Sequence, residues 1–348
     1  MDVSTIPALP KAVLHDHLDG GLRPETIFEL ADEQGYTGLP ASDVDGLATW
    51  FYQGASGSLR TYLEAFEQTV SVMQTESAIS RVAYEAGVDL AVDGVVYAEV
   101  RYGPSLSMRR GLSREAVLEA ILDGFERAKR DSGICIYGIA TALRHETDSG
   151  AVARAASRYV GRGIVAFDLA GPEKGFPPDE HLEACNIATE AGLGVTLHAG
   201  EGDGPNSMWR ALALCGAQRL GHGVHVVEDA HFERGTLSNL GSFARRVRDH
   251  RIPLEVAITS NLHTGSWTAA PEHPFGALYA AGFNVSINTD NRLMSGISMS
   301  DEYALAATAF GLSTGDLNEI TVNAIKAGFG DWPTRRALID RVEVAAEG

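Results

Sequence analysis

Residues 163–201 carry the pattern that decides the fold: an apolar run GIVAFDLAG at 163–171, an amphipathic stretch PDEHLEACNIATEAG at 178–192 and a second apolar run GVTLHAGE at 194–201. The two runs are continuously apolar rather than alternating, which is typical of strands buried on both faces of a parallel sheet. The stretch between them has the spacing of a helix that packs one face on that sheet. This segment therefore predicts a strand–helix–strand unit with parallel strands.

Six further runs of the same kind precede and follow this unit. They read KAVLHDH at 11–17, GVVYAEVRY at 94–102, ICIYGIATALRH at 134–145, RLGHGV at 219–224, PLEVAITSN at 253–261 and NVSINTDN at 284–291. Eight strands separated by helical stretches predict an α/β fold, the (β/α)8 or TIM barrel. The alternative, a doubly wound open sheet, would place a glycine-rich phosphate turn after strand 1, and HDHLDG at 15–20 is not such a turn.

Two segments lie outside this regular alternation. Residues 23–93 are too long for one helix, and we expect several helices inserted after strand 1, forming a lid over the barrel mouth. Residues 300–346 are predicted to form helices at the C-terminus. A length of 348 residues would allow two domains, but no linker-like or low-complexity stretch divides the chain. We therefore expect residues 1–348 to form a single domain.

Composition and charge exclude several classes of protein. The chain is 45% hydrophobic and 21% charged, as ordinary globular proteins are, which excludes disordered, collagen-like and coiled-coil chains. Its net charge of -18 repels phosphate backbones and anionic membrane surfaces, so we expect neither nucleic acid nor a membrane as a partner. The three widely spaced cysteines fit neither a disulfide framework nor a cysteine zinc site. With no secretory segment and no long apolar run in view, a cytoplasmic protein is expected, of undetermined oligomeric state.

Unusual polar residues fall at the C-terminal ends of the predicted strands, where barrel enzymes build their active sites. His15 and His17 end strand 1, and alternation along a strand points both to the same face. Strands 5, 6 and 8 contribute His198, Glu201, His222 and Asp290. Three imidazoles and one carboxylate at a barrel mouth predict a zinc site with an open position for water. The alternative is a set of histidines hydrogen-bonded within a polar core.

Other chemical patterns are weaker. Strand 4 offers no lysine or glutamate until Glu173 and Lys174 beyond its end, so the bridging ligand of a binuclear barrel hydrolase is missing and a single metal is favoured. GLSTG at 311–315 matches a nucleophile elbow in letters, but no strand precedes it, and Ser313 with Asp316 is predicted to cap a helix. His145 is ambiguous. The histidines interpreted as surface residues are His181, His225, His231, His250 and His273.

Six short motifs, in this order along the chain, resemble those of the adenosine deaminase family: KAVLHDHLDG at 11–20, DLAG at 168–171, HAGE at 198–201, GHG at 221–223, TSN at 259–261 and NTDN at 288–291. The resemblance extends from about residue 10 to about residue 330. It implies a barrel with one zinc ion per chain that hydrolyses the 6-amino group of adenosine or 2'-deoxyadenosine. The products would be ammonia and inosine or deoxyinosine, as in purine salvage.

The resemblance also implies roles for individual residues. The zinc ligands would be His15, His17, His198 and Asp290, and the catalytic residues would be Glu201, His222 and Asp290. Gly200 allows the chain to turn and bring the Glu201 carboxyl over the metal, where its protonated form would donate to purine N1. His222 would either accept a proton from the attacking water or stabilise the hydroxide electrostatically.

Substrate contacts transfer by position as well. Asp19 resembles the residue that binds the ribose 5'-hydroxyl, the backbone N–H of Gly171 resembles the donor to N3, and His17 lies beside the substrate. The gate helix of the family matches Leu59, Tyr62, Leu63 and Phe66, although plain helix packing would explain these four equally. Asn291 departs from the second aspartate of the family, which leaves open both the contact to N7 and the choice among aminopurines. Its alternative role is to cap or turn the chain after strand 8.

Three functions remain to be compared. The first is adenosine deamination, and the second is deamination of another 6-aminopurine, such as adenine or a modified adenine nucleoside. The third is a catalytically inactive relative that only binds. Asp19 favours a substrate that carries a sugar, and its acidity disfavours a 5'-phosphate. The intact ligand set, together with Glu201 and His222, argues against an inactive relative.

Overall fold

Eight strands of the chain form one parallel sheet that curls into a barrel. The computed structural model describes residues 2–54, 56, 64–233 and 235–347. The barrel strands are β1 (Lys11–His17), β2 (Val95–Tyr102), β3 (Cys135–Leu143), β4 (Ile164–Ala170), β5 (Gly194–Ala199), β6 (Arg219–His222), β9 (Leu254–Val256) and β10 (Val285–Ile287), hydrogen-bonded in that order. The predicted (β/α)8 barrel is therefore confirmed, and each strand begins within one residue of its predicted start.

The strands are buried on both faces, as their continuous apolar runs predict. Every residue of β6 and β9 is buried, and so are all residues of β1 before His17. A short antiparallel hairpin follows β6, formed by β7 (His231–Glu233) and β8 (Thr236–Ser238). The sequence did not predict this hairpin, because its strands of three residues are partly exposed and carry no continuous apolar run.

The seam between β10 and β1 closes the barrel without a regular ladder. The backbone N–H of His17 donates to the carbonyl of Asp290 at 2.7 Å, and the N–H of Asp290 donates to the carbonyl of His15 at 2.9 Å. Below this point Asn288 accepts the N–H groups of Leu14 and His15 on its side-chain oxygen at 2.8 and 3.1 Å. This seam fixes the end of β1 directly beside Asp290.

Helices surround the barrel and extend from it at two places. Those between β1 and β2 are α1 (Pro24–Gln34), α2 (Val44–Phe51), α3 (Phe66–Val72) and α4 (Glu76–Val92). The next are α5 (Arg114–Ser132), α6 (Ser149–Ser157), α7 (Leu182–Ala191), α8 (Pro205–Ala213), α9 (Ser242–Asp249), α10 (Ile258–His263) and α11 (Phe275–Ala280). After β10 come α12 (Arg292–Ser295), α13 (Met299–Phe310), α14 (Thr314–Ala327) and α15 (Trp332–Glu347). The predicted extra helices after strand 1 and at the C-terminus are both present.

Side-chain caps explain where several helices begin. The Thr75 hydroxyl accepts the N–H of Ala78 at the start of α4. At the start of α14, Ser313 and Asp316 form a reciprocal capping box, as their spacing predicts. The G-x-S-x-G letters at 311–315 are thus accounted for by a helix start. None of the described helices combines the length and apolar character that a membrane span requires.

Candidate active site

A cavity of about 370 Å³ opens at the carboxyl ends of the barrel strands. Most of the residues singled out in the sequence line it: His17, Asp19, Phe66, Gly171, His198, Glu201, His222, Asp290 and Asn291. His145, which was ambiguous from the sequence, lies in the same wall. Leu59, Tyr62 and Leu63 lie outside the described residues, so their assignment to a gate helix stays a prediction.

Four side chains from three parts of the barrel meet at the floor of this cavity. His15 and His17 come from β1, His198 from β5 and Asp290 from the turn after β10. One potential ligand atom of each lies within 4.8 Å of those of the other three. The Nε2 atoms of His17 and His198 are 3.1 Å apart, and Oδ1 of Asp290 lies 3.3 Å from Nε2 of His15 and 3.4 Å from Nε2 of His17. The predicted constellation is therefore assembled, and it could hold a metal ion.

Two buried carboxylates orient two of the imidazole rings by accepting hydrogen bonds from their Nδ1 nitrogens. Asp168 on β4 accepts the Nδ1–H of His198 at 3.0 Å, and Glu255 on β9 accepts the Nδ1–H of His15 at 3.1 Å. Although burial opposes ionisation, the imidazole of His198 that donates to Asp168 and the charge of Arg101 hold the pKa of Asp168 below its ordinary value. Arg101 and other cationic neighbours likewise hold the pKa of Glu255 well below its ordinary value despite its complete burial. Ionised carboxylates only accept, so the Nε2 lone pairs of His15 and His198 are left for the cavity.

The donor set fits a metal ion. Burial lowers the pKa of His17 well below its ordinary value and also lowers that of His198, so both rings are neutral and able to act as ligands. Nε2 of His15 is completely buried and makes no well-oriented hydrogen bond within the described part of the chain, although Oδ1 of Asp290 lies 3.3 Å away. A buried polar atom without a partner is costly, and a cation among these four groups would satisfy it.

Two residues with left-handed backbone conformation turn the strand ends toward the cavity. Asp290 has a φ of 57° and His222 a φ of 62°, which for residues other than glycine is a strained conformation of about 1–3 kcal/mol each. The Ser260 hydroxyl donates to Oδ2 of Asp290 at 2.6 Å and so leaves Oδ1 facing the histidines. Strain at these positions is consistent with a functional constraint on both side chains.

Glu201 reaches the cavity through the turn that its sequence predicts. Gly200 has a φ of 80°, a conformation that glycine adopts without strain, and Oε2 of Glu201 lies 3.6 Å from Nε2 of His222. Burial raises the pKa of Glu201 well above its ordinary value, and the charges of Asp290 and Glu173 raise it further. The raised pKa favours the protonated acid, which suits a proton donor.

Glu173 holds the loop that carries Glu201, a role that the sequence did not reveal. Its carboxylate accepts the four consecutive backbone N–H groups of residues 200–203 at 2.8–3.1 Å and the Ser207 hydroxyl at 2.5 Å. Only 3% of Glu173 is exposed. The sequence shows Glu173 only as a carboxylate beyond the end of strand 4, because its partners lie about 30 positions further along the chain.

Two of the side chains predicted to contact substrate, Asp19 and Asn291, line the cavity and each carry a buried oxygen that finds no partner in the described ranges. Burial raises the pKa of Asp19 to about 7. Oδ1 of Asp19 and Oδ1 of Asn291 are both buried without a hydrogen-bond partner among the residues that the structure describes. Asn291 precedes α12 but makes no capping hydrogen bond with its side chain. Its alternative role as a side-chain cap is therefore not supported. Its backbone does begin α12, because its carbonyl accepts the N–H of Ser295 at 3.0 Å, so the alternative that Asn291 turns the chain after strand 8 stays open.

Two histidines interpreted as surface residues are in fact buried, and that interpretation is wrong for both. His181 is 6% exposed and lies between the Ser149 hydroxyl and the carbonyl of Arg144. His273 is 1% exposed and contacts Asn261. Both follow loop-like sequence with proline nearby, and only the packing of distant segments places them inside.

Comparison with known proteins gives consistent matches. A family model described as adenosine deaminase matches residues 10–345. The chain is 49% identical over 339 residues to adenosine deaminase 1 of Streptomyces coelicolor, covering 96% of this chain and 86% of that protein. It is 48% identical to the adenosine deaminase of Mycobacterium leprae, covering 98% and 96%.

Solved structures show the same barrel. An adenine deaminase from Arthrobacter aurescens superposes with a TM-score of 0.87 at 24% identity, over 98% of this chain and all of that one. The N6-methyl-AMP deaminase from Arabidopsis thaliana superposes with a TM-score of 0.83 at 26% identity, over 99% of each chain.

Proposed function

This chain belongs to the adenosine deaminase family, and we propose that it hydrolyses adenosine and 2'-deoxyadenosine to inosine and deoxyinosine with release of ammonia. The observation that carries this proposal is the meeting, in one cavity, of four potential metal ligands with the buried carboxyl group of Glu201, whose pKa is raised by its burial. We propose further that residues 1–348 act as one catalytic domain in the cytoplasm.

The proposed metal is one zinc ion per chain. His15, His17, His198 and Asp290 would hold it, because imidazole nitrogens and a carboxylate oxygen suit zinc. The Nδ1 atoms of His15 and His198 are also held by carboxylates, which orients these two rings. When bound, zinc lowers the pKa of water from about 16 toward about 7, which makes hydroxide available at neutral pH.

The side chains of the cavity would perform the remaining chemistry. Protonated Glu201 donates to purine N1, which weakens the ring's aromaticity and makes C6 electrophilic. Asp290 orients the attacking water. His222, whose Nε2 lies 3.6 Å from Oε2 of Glu201, either accepts a proton from this water or stabilises the hydroxide electrostatically. The Asp19 carboxylate binds the ribose 5'-hydroxyl, and the Gly171 N–H binds N3. Because Asp19, Glu201, His222 and Asp290 are buried, their interactions are stronger than they would be in water.

The charge at the cavity mouth favours a nucleoside over a nucleotide. Glu64, Glu67 and Asp19 line the cavity, and all three are acidic. Arg109 also lines it, but its guanidinium is paired with both carboxylate oxygens of Glu67 at 2.5 and 2.7 Å. No cation along the described wall is therefore free to receive a 5'-phosphate, which supports an uncharged sugar as the ligand of Asp19.

The test is a panel of substrates. Purified enzyme is incubated with adenosine, 2'-deoxyadenosine, adenine and AMP, and ammonia release is followed alongside metal content. We expect turnover of the two nucleosides and little or none of adenine and AMP. Preferred turnover of adenine would favour the alternative of another 6-aminopurine substrate, and no turnover of any member would overturn the proposed function.

Asp19→Ala is expected to raise KM for adenosine by about 10- to 100-fold while lowering kcat much less. The 5'-hydroxyl is remote from C6, and a hydrogen bond to a charged group is worth about 1.5–3 kcal/mol. Steady-state kinetics with adenosine and 5'-deoxyadenosine provide the measurement and its control. The parent enzyme should discriminate between the two, and Asp19→Ala should not. Undiminished discrimination in the variant would show that Asp19 does not bind the 5'-hydroxyl.

Asn291→Ala is expected to lower kcat/KM for adenosine by about 5- to 30-fold, or about 1–2 kcal/mol, because the amide donates to purine N7. N7 only accepts, and an asparagine amide donates at every working pH, so this contact can survive the replacement of the family's aspartate. The loss should be much smaller with 7-deazaadenosine, whose ring carbon cannot accept the bond. Equal losses on both substrates would make Asn291 a structural residue.

A further inference from the structure

Three buried side chains form a chain of hydrogen bonds that leads from the backbone of α11 to His222. The N–H of Phe275 donates to Nδ1 of His273 at 3.1 Å. Nε2 of His273 lies 3.2 Å from Oδ1 of Asn261, and Nδ2 of Asn261 lies 3.1 Å from Nδ1 of His222. His273, Asn261 and His222 are exposed by 1%, 0% and 1%. Water therefore does not compete for these bonds.

The first link fixes the direction of all the others. A backbone N–H can only donate, so Nδ1 of His273 must be the unprotonated nitrogen. Burial lowers the pKa of His273 to about 3, so the ring is neutral and carries its single proton on Nε2. That proton faces Asn261, whose side chain must present its oxygen there and its NH2 group to His222.

These hydrogen bonds allow only one tautomer of His222. Its Nδ1 accepts from Asn261, so its proton is on Nε2, the nitrogen that faces the cavity and lies 3.6 Å from Oε2 of Glu201. The orientation of the Asn261 amide thus follows from the backbone N–H of Phe275. A proton on Nδ1 instead would bring two N–H groups against each other in a dry interior.

We propose that His273 and Asn261 are positioning residues that hold His222 as the Nε2–H tautomer, so that His222 donates a hydrogen bond to the attacking oxygen instead of accepting its proton. The catalytic part of this proposal rests on the proposed deaminase function, whereas the tautomer itself does not. The sequence left both roles open for His222. His273 has no contact with the reacting atoms and acts only through Asn261.

The tautomer can be read directly by nuclear magnetic resonance. Long-range ¹H–¹⁵N spectra of full-length enzyme with ¹⁵N-labelled histidine distinguish a protonated from an unprotonated ring nitrogen, and a His222→Asn sample assigns the signals by their loss. We expect the His222 proton on Nε2 in both the metal-free and the zinc-loaded enzyme. A His222 proton on Nδ1 in the parent enzyme would overturn the proposal without any activity measurement.

Asn261→Asp should favour the opposite tautomer of His222. An ionised carboxylate only accepts hydrogen bonds, so it requires a proton on Nδ1 of His222. The His222 signals should switch tautomer, and kcat should fall roughly 10²-fold with KM nearly unchanged, as when one donor to a reacting oxygen is lost. Asn186→Asp on the exposed face of α7 adds the same charge and should change neither quantity. An unchanged tautomer in folded Asn261→Asp would count against the proposal.

Two His273 variants keep the test decisive should Asn261→Asp fail to fold. His273→Phe removes the donor, so the Asn261 amide can rotate and His222 should sample both tautomers, with kcat lowered roughly two- to tenfold. His273→Gln retains an N–H and should restore both the single tautomer and most of kcat. Equal effects of the two variants would overturn the positioning role. An enzyme with the expected tautomer but no deaminase activity would instead overturn the proposed function alone.

Discussion

Glu201→Gln is expected to lower kcat for adenosine by about 10²- to 10⁴-fold while KM changes only a few-fold. Glutamine keeps the size and polarity of the side chain but cannot transfer a proton to N1, and that transfer matters chiefly in the transition state. The loss should therefore appear in turnover and not in binding of a ground-state nucleoside. Steady-state kinetics with adenosine, together with binding of a nonreactive purine nucleoside, provide the measurement.

The same residue predicts the direction of the pH dependence. Burial, with Asp290 and Glu173 nearby, raises the pKa of Glu201 well above its ordinary value, and in the proposed reaction its protonated form is the active one. Activity should therefore fall as the pH rises through this raised pKa. The residual activity of Glu201→Gln should lack this decline, because its side chain does not titrate.

A matched control is available on the surface. Glu190→Gln, at an exposed position near the end of α7, makes the same chemical change away from the cavity and should leave kcat and the pH profile unaltered. A loss of less than tenfold in Glu201→Gln would mean that another group supplies the proton. His222 and Asp290 would then be the residues to examine, since both lie within reach of Glu201.

Removal of the metal is expected to lower activity by at least about 10³-fold, because water at neutral pH then keeps a pKa near 16 and supplies almost no hydroxide. One equivalent of zinc per chain should restore activity, and elemental analysis should find about one metal ion per chain. The two carboxylates near the end of β4 are otherwise engaged: Asp168 binds His198, and Glu173 binds the loop at 200–203. Two metal ions per chain at full activity would contradict this expectation.

A variant of a residue that hydrogen-bonds to a proposed metal ligand tests the metal site further. Asp168→Asn removes the charge that orients His198 and should weaken zinc affinity by about 10- to 100-fold, measured by competition with a chelator. Asp249→Asn, at the exposed end of α9, is the matched control and should leave the affinity unchanged. Unaltered affinity in Asp168→Asn would mean that the His198 ring is held by its packing alone.

The sequence by itself determined the barrel and the position of its chemistry. Continuous apolar runs are local signals, and they placed all eight strands because burial on both faces leaves little room for polar residues in a parallel strand. The positions of the strands also give the positions of their ends. The sequence therefore predicts that four side chains meet at the barrel mouth, namely His15, His17, His198 and Asp290. Gly200 likewise signalled the turn that carries Glu201, since few other residues adopt its conformation.

Only the tertiary structure decided how these side chains are held and protonated. Glu255 supports His15 across 240 positions of sequence, and Glu173 binds a loop 27 to 34 positions away. The hydrogen bonds from His273 through Asn261 to His222 join a segment whose sequence looks like an ordinary loop to the ends of two predicted strands. Such contacts have no period or spacing that a sequence can show, because the closure of the barrel creates them. The sequence therefore determined which groups are present, whereas tautomer, charge and orientation were decided by partners that only the folded barrel brings together.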